Sequence, residues 1–277
     1  MLRSLLVGLD GSSHARSATE FALGWAARFD ALAVGLSVVD LPTSTAPEAV
    51  PMMGAAYHTG EIDPERLGEA RRLADQWLEQ FSLLAAERHI SSKVLEEEGD
   101  PIDAILTQSQ RYDLIVLGQR THFRYATQLG PCDTLHRVLH STSRPIVAVP
   151  EKLPGGEAIV VAFDGSAEAS RALFAYQAMG LGGKFPTYVV TVADEHDTAA
   201  RIAGRAVDFL AFHGIHAQAK PIVGGHKSER ILEQVSEVNG QLLVMGAFGH
   251  SPSYEFLFGS TTQRVLRGSW VPLFMVP

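Results

Sequence analysis

The chain is expected to fold as two tandem α/β domains, each a doubly wound, five-stranded parallel sheet of Rossmann-like type. Three observations carry this expectation. Short β-branched runs alternate with amphipathic stretches from end to end, as parallel strands and crossover helices do. The alternation occurs twice: Leu5-Leu6-Val7-Gly8-Leu9-Asp10-Gly11-Ser12 is answered by Ile159-Val160-Val161-Ala162-Phe163-Asp164-Gly165-Ser166, and Asp113-Leu114-Ile115-Val116-Leu117-Gly118 by Gln241-Leu242-Leu243-Val244-Met245-Gly246. Finally, runs such as Leu114–Leu117 are apolar at every position, which requires cover on both faces of the sheet. At 277 residues the length suits two domains of about 100–200 residues each, and the repeat is far longer than the roughly 20–50 residues of a solenoid unit.

The elements follow in order. In the first copy (residues 1–150) the strands are Ser4–Leu9, Ala33–Val39, Ser92–Glu96, Leu114–Leu117 and Ile146–Val149. Helices are expected at Ser12–Phe29, Asp63–His89, Pro101–Gln110 and Thr134–His140. Asp63–His89 spaces Leu67, Leu73, Trp77, Leu78, Phe81 and Leu84 as a core face beneath an Arg/Glu exterior. The run Glu96-Glu97-Glu98-Gly99-Asp100 reads as a solvated turn, with Asp100 capping a helix that begins at Pro101. Leu41–Gly60, rich in Pro, Ala, Thr and Met, reads as a long surface loop.

Glu151–Gly156 is the expected linker. In the second copy (157–277) the strands are Ala158–Phe163, Thr187–Val192, Ala217–Val223, Leu242–Met245 and Leu273–Val276, and the helices Ser166–Met179, Thr198–His213, Lys227–Val238 and Thr261–Arg267. Here the short Asp194-Glu195-His196-Asp197 replaces the long loop. The closing strands Ile146–Val149 and Leu273–Val276 are edges in need of cover. A further homodimer of such chains stays open.

Composition narrows the function. The formal charge is −8, against the clustered basic surface of a nucleic-acid binder. The first copy has 13 Lys+Arg and 19 Asp+Glu (−6), the second 10 and 12 (−2), so the second repels a polyanion less. The single cysteine, Cys132, excludes an internal disulfide, and no zinc-ligand spacing occurs. No apolar run approaches the roughly 18 residues of a membrane helix, and the strand-like run after Arg3 does not resemble a secretory signal. A cytoplasmic protein is expected.

The most informative pattern lies late in the second copy, where Gly246 and Gly249 precede Gly259-Ser260-Thr261 and a helix. Glycines so placed let backbone N–H groups turn towards an anion without Cβ obstruction, and a helix N-terminus adds unpaired donors and a positive dipole end. A competing reading makes Ser260 and Gln263 a capping box that merely starts a helix. It is not a Walker loop, since no Gly-Lys-Ser/Thr follows.

Gly246-x2-Gly249-x9-Gly259-Ser260, the Asp closing each first strand, Val-Thr-Val-Ala-Asp in the second copy and the terminal Val-Pro-Leu-Phe-Met-Val-Pro strand resemble the universal stress protein family over essentially the whole chain, in tandem form. The resemblance implies ATP binding in the second copy, and it implies that the closing strands Ile146–Val149 and Leu273–Val276 meet inside one chain as a pseudo-dimer, which would cover both edges. It places Asp164 at the nucleoside, Val192 near the adenine, and Met245 and Gly246 along the nucleoside and ribose, with Ala162 among the cofactor-binding residues. Gly249, Gly259, Ser260 and Thr261 hold the phosphates, and His250 is the histidine best placed to touch one. Asp164 also has a local role open to it, as a cap or turn residue. Mg²⁺ is expected to accompany the nucleotide, since phosphate oxygens recruit it with few protein ligands.

The first copy departs from the signature. Gly118 is kept, but Thr121 stands at the second glycine position, Cys132 opposite Gly259 and Asp133 opposite Ser260, with Gly130 two residues before Cys132. A carboxylate about 4 Å from a phosphate is repelled by about 4 kcal/mol at an effective dielectric of 20, so ATP is expected in the second copy alone. His122, His136, His140, His226 and His250 match no ligand pattern, and Cys132 reads as a plain small residue. With no nucleophile–base pair evident, a stress-response binding and signalling module with an unidentified protein partner is favoured. The contrasting readings are a slow ATPase or nucleotidyl-transfer enzyme, and a scaffold with vestigial loops.

Overall fold

A computed structural model describes residues 1–41, 64–123, 134–248 and 259–277. The expectations for Pro42–Gly60, Gly130, Cys132, Asp133, Gly249 and His250 lie outside the described residues.

In the first half the order is β1 (Ser4–Gly8), α1 (Ser13–Phe29), β2 (Leu32–Asp40), α2 (Pro64–Glu87), β3 (Ser92–Gly99), α3 (Pro101–Ser109), β4 (Leu114–Gly118), α4 (Thr134–Ser141) and β5 (Ile146–Val149). The second half repeats it as β6 (Ala158–Ala162), α5 (Ala167–Ala178), β7 (Thr187–Ala193), α6 (His196–Phe212), β8 (Ala217–Val223), α7 (Lys227–Glu237), β9 (Gly240–Gly246), α8 (Ser260–Gly268) and β10 (Leu273–Val276). A short 3₁₀ turn at Leu181–Gly183 joins α5 to β7.

The strands form one ten-stranded sheet, ordered β3-β2-β1-β4-β5-β10-β9-β6-β7-β8. Every pairing within a half is parallel, and the seam between halves is antiparallel: Leu273 faces Ala148, Phe274 faces Val147 and Met275 faces Ile146. The two closing strands therefore cover each other's edges, as the need to protect them predicts. Helices α1, α2, α5 and α6 build the core on one face, which runs unbroken from Phe21 and Phe81 to Tyr176 and Leu210. On the other face α3, α4, α7 and α8 contribute Ile105, Val138, Val235 and Val265. Terminal contacts bind the halves further: Leu2 N–H donates to Met179 O (2.9 Å) and Ser17 Oγ to Glu151 O (2.5 Å).

Local chemistry explains most boundaries. Ser12 and Ser166 are matching N-caps, each accepting through Oγ from the N–H three residues on, Ala15 and Ala169, at 3.1 Å. Asp100 caps α3 ahead of Pro101, as expected, through Ile102 N (2.8 Å) and Asp103 N (3.2 Å). The acidic residues before it are not a turn, however. Glu96–Gly99 continue β3, pairing with Ser37–Asp40 of β2. Likewise His196 and Asp197 already belong to α6, which starts two residues before the apolar period suggests.

Tyr176 lies fully buried with its hydroxyl 2.5 Å from Thr187 Oγ1. Burial pushes its pKa up from 10.0 to about 12. Because the folded value exceeds the unfolded one, the unfolded chain releases this proton first, so stability is intact below about pH 10 and falls as pH rises towards 12. The expected loss reaches on the order of 2–3 kcal/mol. Denaturant titrations at about pH 9 and about pH 11.5 should show a smaller drop for Tyr176→Phe than for the parent; equal drops would mean the hydroxyl ionises in the folded state.

Candidate functional site

The cleft forms where the topology reverses. From β6 the chain steps to β7 on one side and later returns to β9 on the other, leaving a crevice beyond the carboxyl ends of these strands, where open α/β sheets take ligands. The cavity there is ≈ 250 Å³. Its walls include apolar Val190, Val192, Ile231 and Met245, with Asp164, Glu168 and Lys227 as the charged groups and Gly259, Ser260 and Thr261 at the far rim.

Each wall has a local cause. Asp164 follows the last β6 residues, and its Oδ1 accepts from Ser166 N at 2.9 Å, fixing a turn that Gly165 completes at φ +81°. The local role of Asp164 is thus the turn, while the cap is Ser166. Its side chain is exposed, and Oδ2 has no partner among the described residues. At the opposite end Gly259 is the N-cap of α8, with φ −58° and ψ 146°, and provides no side-chain cap. Ser260 is consequently the first helical residue rather than the cap, which removes the capping-box reading. The N–H groups of Ser260, Thr261 and Thr262 have no acceptor among the described residues, as expected for a first helical turn facing a cavity. Thr262 Oγ1 donates to Gly246 O at 3.4 Å, tying this turn to the end of β9.

Gly246 has a different reason from the one its spacing suggests. A Cβ there would stand 2.7 Å from Glu168 Cβ and 2.8 Å from the Glu168 carbonyl carbon. Glycine is required because β9 ends against the first turn of α5. Gly118 does the same against His14, at 2.6 Å. This explains why the first copy keeps that glycine.

The structure brings Ala162, Asp164, Val192, Met245, Gly246, Gly259, Ser260 and Thr261 to one cavity; Gly249 and His250 fall outside the described residues. Two charged wall residues escaped the sequence reading. Glu168 Oε2 is buried without a partner among the described residues, while Oε1 lies 3.5 Å from Arg171. Lys227 opens α7. Phe248 also lines the cleft, and its ring meets His140 of the first half edge-on at 5.9 Å. No group of three metal-ligating side chains occurs among the described residues, so a divalent ion here would depend chiefly on ligand oxygens, with Asp164 and Glu168 the nearest carboxylates.

The first half closes the same space with its own atoms. Asp10, the counterpart of Asp164, is buried. Its Oδ1 accepts from Ser12 N (3.0 Å) and Oγ (2.6 Å), and its Oδ2 accepts from His122 N at 2.6 Å. The Phe123 ring beyond is fully buried, at a backbone φ of +48°. With Leu117 it occupies the space over Gly8, the counterpart of cleft-lining Ala162: a Cβ on Gly8 would stand 2.5 Å from Leu117 Cδ2 and 2.9 Å from the ring. Where the second half has Glu168, the first has His14, whose pKa burial lowers against the opposing pull of Glu151. The described residues therefore provide a steric block in addition to the charge expected from Asp133.

The repeated fold, the aspartate turn and the glycine–helix rim agree with the pattern of the universal stress protein family, which matches residues 1–150 and again 157–277. The chain belongs to the universal stress protein family. Universal stress protein Slr1230 of Synechocystis sp. (strain ATCC 27184 / PCC 6803 / Kazusa) is 25% identical over 284 residues, spanning 98% of this chain and 99% of its own. A universal stress protein crystal structure from Archaeoglobus fulgidus DSM 4304 superposes with a TM-score of 0.73 at 22% identity, covering 99% of this chain and 95% of that one. The universal stress protein from Archaeoglobus fulgidus solved in complex with dAMP matches 44% of this chain and 98% of its own, at 24% identity and a TM-score of 0.36. No helix among the described residues is long and apolar enough to cross a membrane.

Proposed function

We propose that this universal stress protein is a cytoplasmic stress-response module that binds one ATP per chain, in the cleft of its second half. One observation carries the reading: at equivalent places the second half leaves Asp164 exposed at a cavity that the first turn of α8 also lines, while the first half buries Asp10, bonds it to His122 N and fills the space with Phe123. Unpaired donors at a helix start favour phosphate, and the apolar wall of Val190, Val192, Ile231 and Met245 suits a flat base. Asp164 accepts from the nucleoside, and Gly259, Ser260 and Thr261 hold the phosphates. When Mg²⁺ is bound with the nucleotide it neutralises phosphate charge beside Asp164 and Glu168. Occupancy is read through Phe248, which touches both the cleft and His140 of the other half, and a partner protein responds to that surface. Isothermal titration with ATP should give a stoichiometry of one per chain. Two equivalent sites, or no heat and no competition by any adenine nucleotide, would overturn the proposal.

A further inference from the structure

Resting on that reading, we infer that Lys227 is a specificity residue of the cleft, pairing with the phosphate chain and setting the preference for highly phosphorylated nucleotides over the nucleoside. The cavity wall carries two carboxylates, Asp164 and Glu168, and among its described residues Lys227 is the one cation. A triphosphate entering beside two carboxylates is repelled unless a positive group answers it. Helices α7 and α8 pack side by side, with Ile231, Val265 and Leu266 in one core cluster. Both helices start at the cavity, so Lys227 shares its wall with Ser260 and Thr261, within the reach of a flexible four-carbon stem.

The local sequence gives Lys227 no other task. In the first half this position is Pro101, preceded by Asp100, which caps two amides of α3. In the second half the pair is His226-Lys227, and His226 makes no side-chain cap bond. An ammonium at the first residue of a helix sits at the positive end of the dipole and weakens the helix. Lys227 is exposed and forms no ion pair among the described residues. A cation held where its own helix disfavours it, on the wall of a cavity with two carboxylates, fits an anionic ligand rather than the fold.

The test measures ATP, ADP, AMP and adenosine affinities for the full chain, for Lys227→Ala and for Lys227→Arg, at low and high salt. Lys227→Ala should weaken ATP by about tenfold, AMP by roughly threefold and adenosine not at all. The salt dependence of ATP binding should flatten with it, and Lys227→Arg should restore most of the loss. Equal weakening of all four ligands would place Lys227 on the base or ribose and overturn the inference, as would unchanged ATP affinity in Lys227→Ala. If the parent chain binds none of the four, the nucleotide reading itself fails and takes the inference with it. Binding that is normal in both chains refutes only the role of Lys227.

Discussion

Phe123→Ala should destabilise the chain by about 3–5 kcal/mol, the range for removing a buried phenyl ring. The ring is fully buried and belongs to the same core cluster as Val34, Leu36, Leu117 and Val138. It rests where Gly8 lacks a Cβ, so truncation leaves a cavity bounded by the rigid ends of β1 and β4, which cannot collapse easily. The positive φ at residue 123 persists in the alanine variant, so no backbone strain is relieved. Guanidinium titration should show a lower midpoint at unchanged slope. ATP binding in the second half should keep its stoichiometry of one, because His122 N still closes Asp10. A loss under about 1 kcal/mol, as expected of a surface ring, would mean that Phe123 does not plug the first cleft.

Much of this architecture was legible before any coordinates. Leu114–Leu117 and its twin Leu242–Met245 are apolar at every position and lie inside the sheet, each between two paired strands and buried. Pairing of Ile146–Val149 with Leu273–Val276 was implied by the family resemblance, with the exposure of two open edges as its physical motive. Most of the cleft's described lining was legible through the family resemblance, which marks Asp164, Val192, Gly246 and Gly259 near strand ends and at the start of a helix, where one cavity collects them.

What was not legible depends on contacts distant in sequence. Phe123 looks like a loop aromatic until β1 brings Gly8 beneath it. Lys227 looks like a solvated helix start until α7 lies beside α8. Gly246 looks like a phosphate glycine until α5 is seen to press on it. Periodicity records which face of an element is buried, but not which neighbour comes within a Cβ's breadth of it.

Gly259→Asp separates ligand from scaffold most sharply, because the two effects have opposite signs. Gly259 has an ordinary negative φ of −58° and an extended ψ at the N-cap of α8, so aspartate fits the backbone without strain. Aspartate is among the best N-caps, and there it would supply the side-chain acceptor that α8 lacks, a gain of a few tenths of a kcal/mol over glycine. The same carboxylate would stand where the proposed phosphates lie. At about 4 Å and an effective dielectric of 20 the repulsion is about 4 kcal/mol, close to three decades in affinity. It would also accept from the amides of Thr261 and Thr262, two of those offered to the ligand. The expected result is a protein at least as stable as its parent in which ATP binding is lost, while adenosine, lacking the phosphates, is weakened far less. Full ATP affinity in a folded Gly259→Asp chain would show that the phosphates do not sit on α8, and equal loss of adenosine would show that the cleft itself had been deformed.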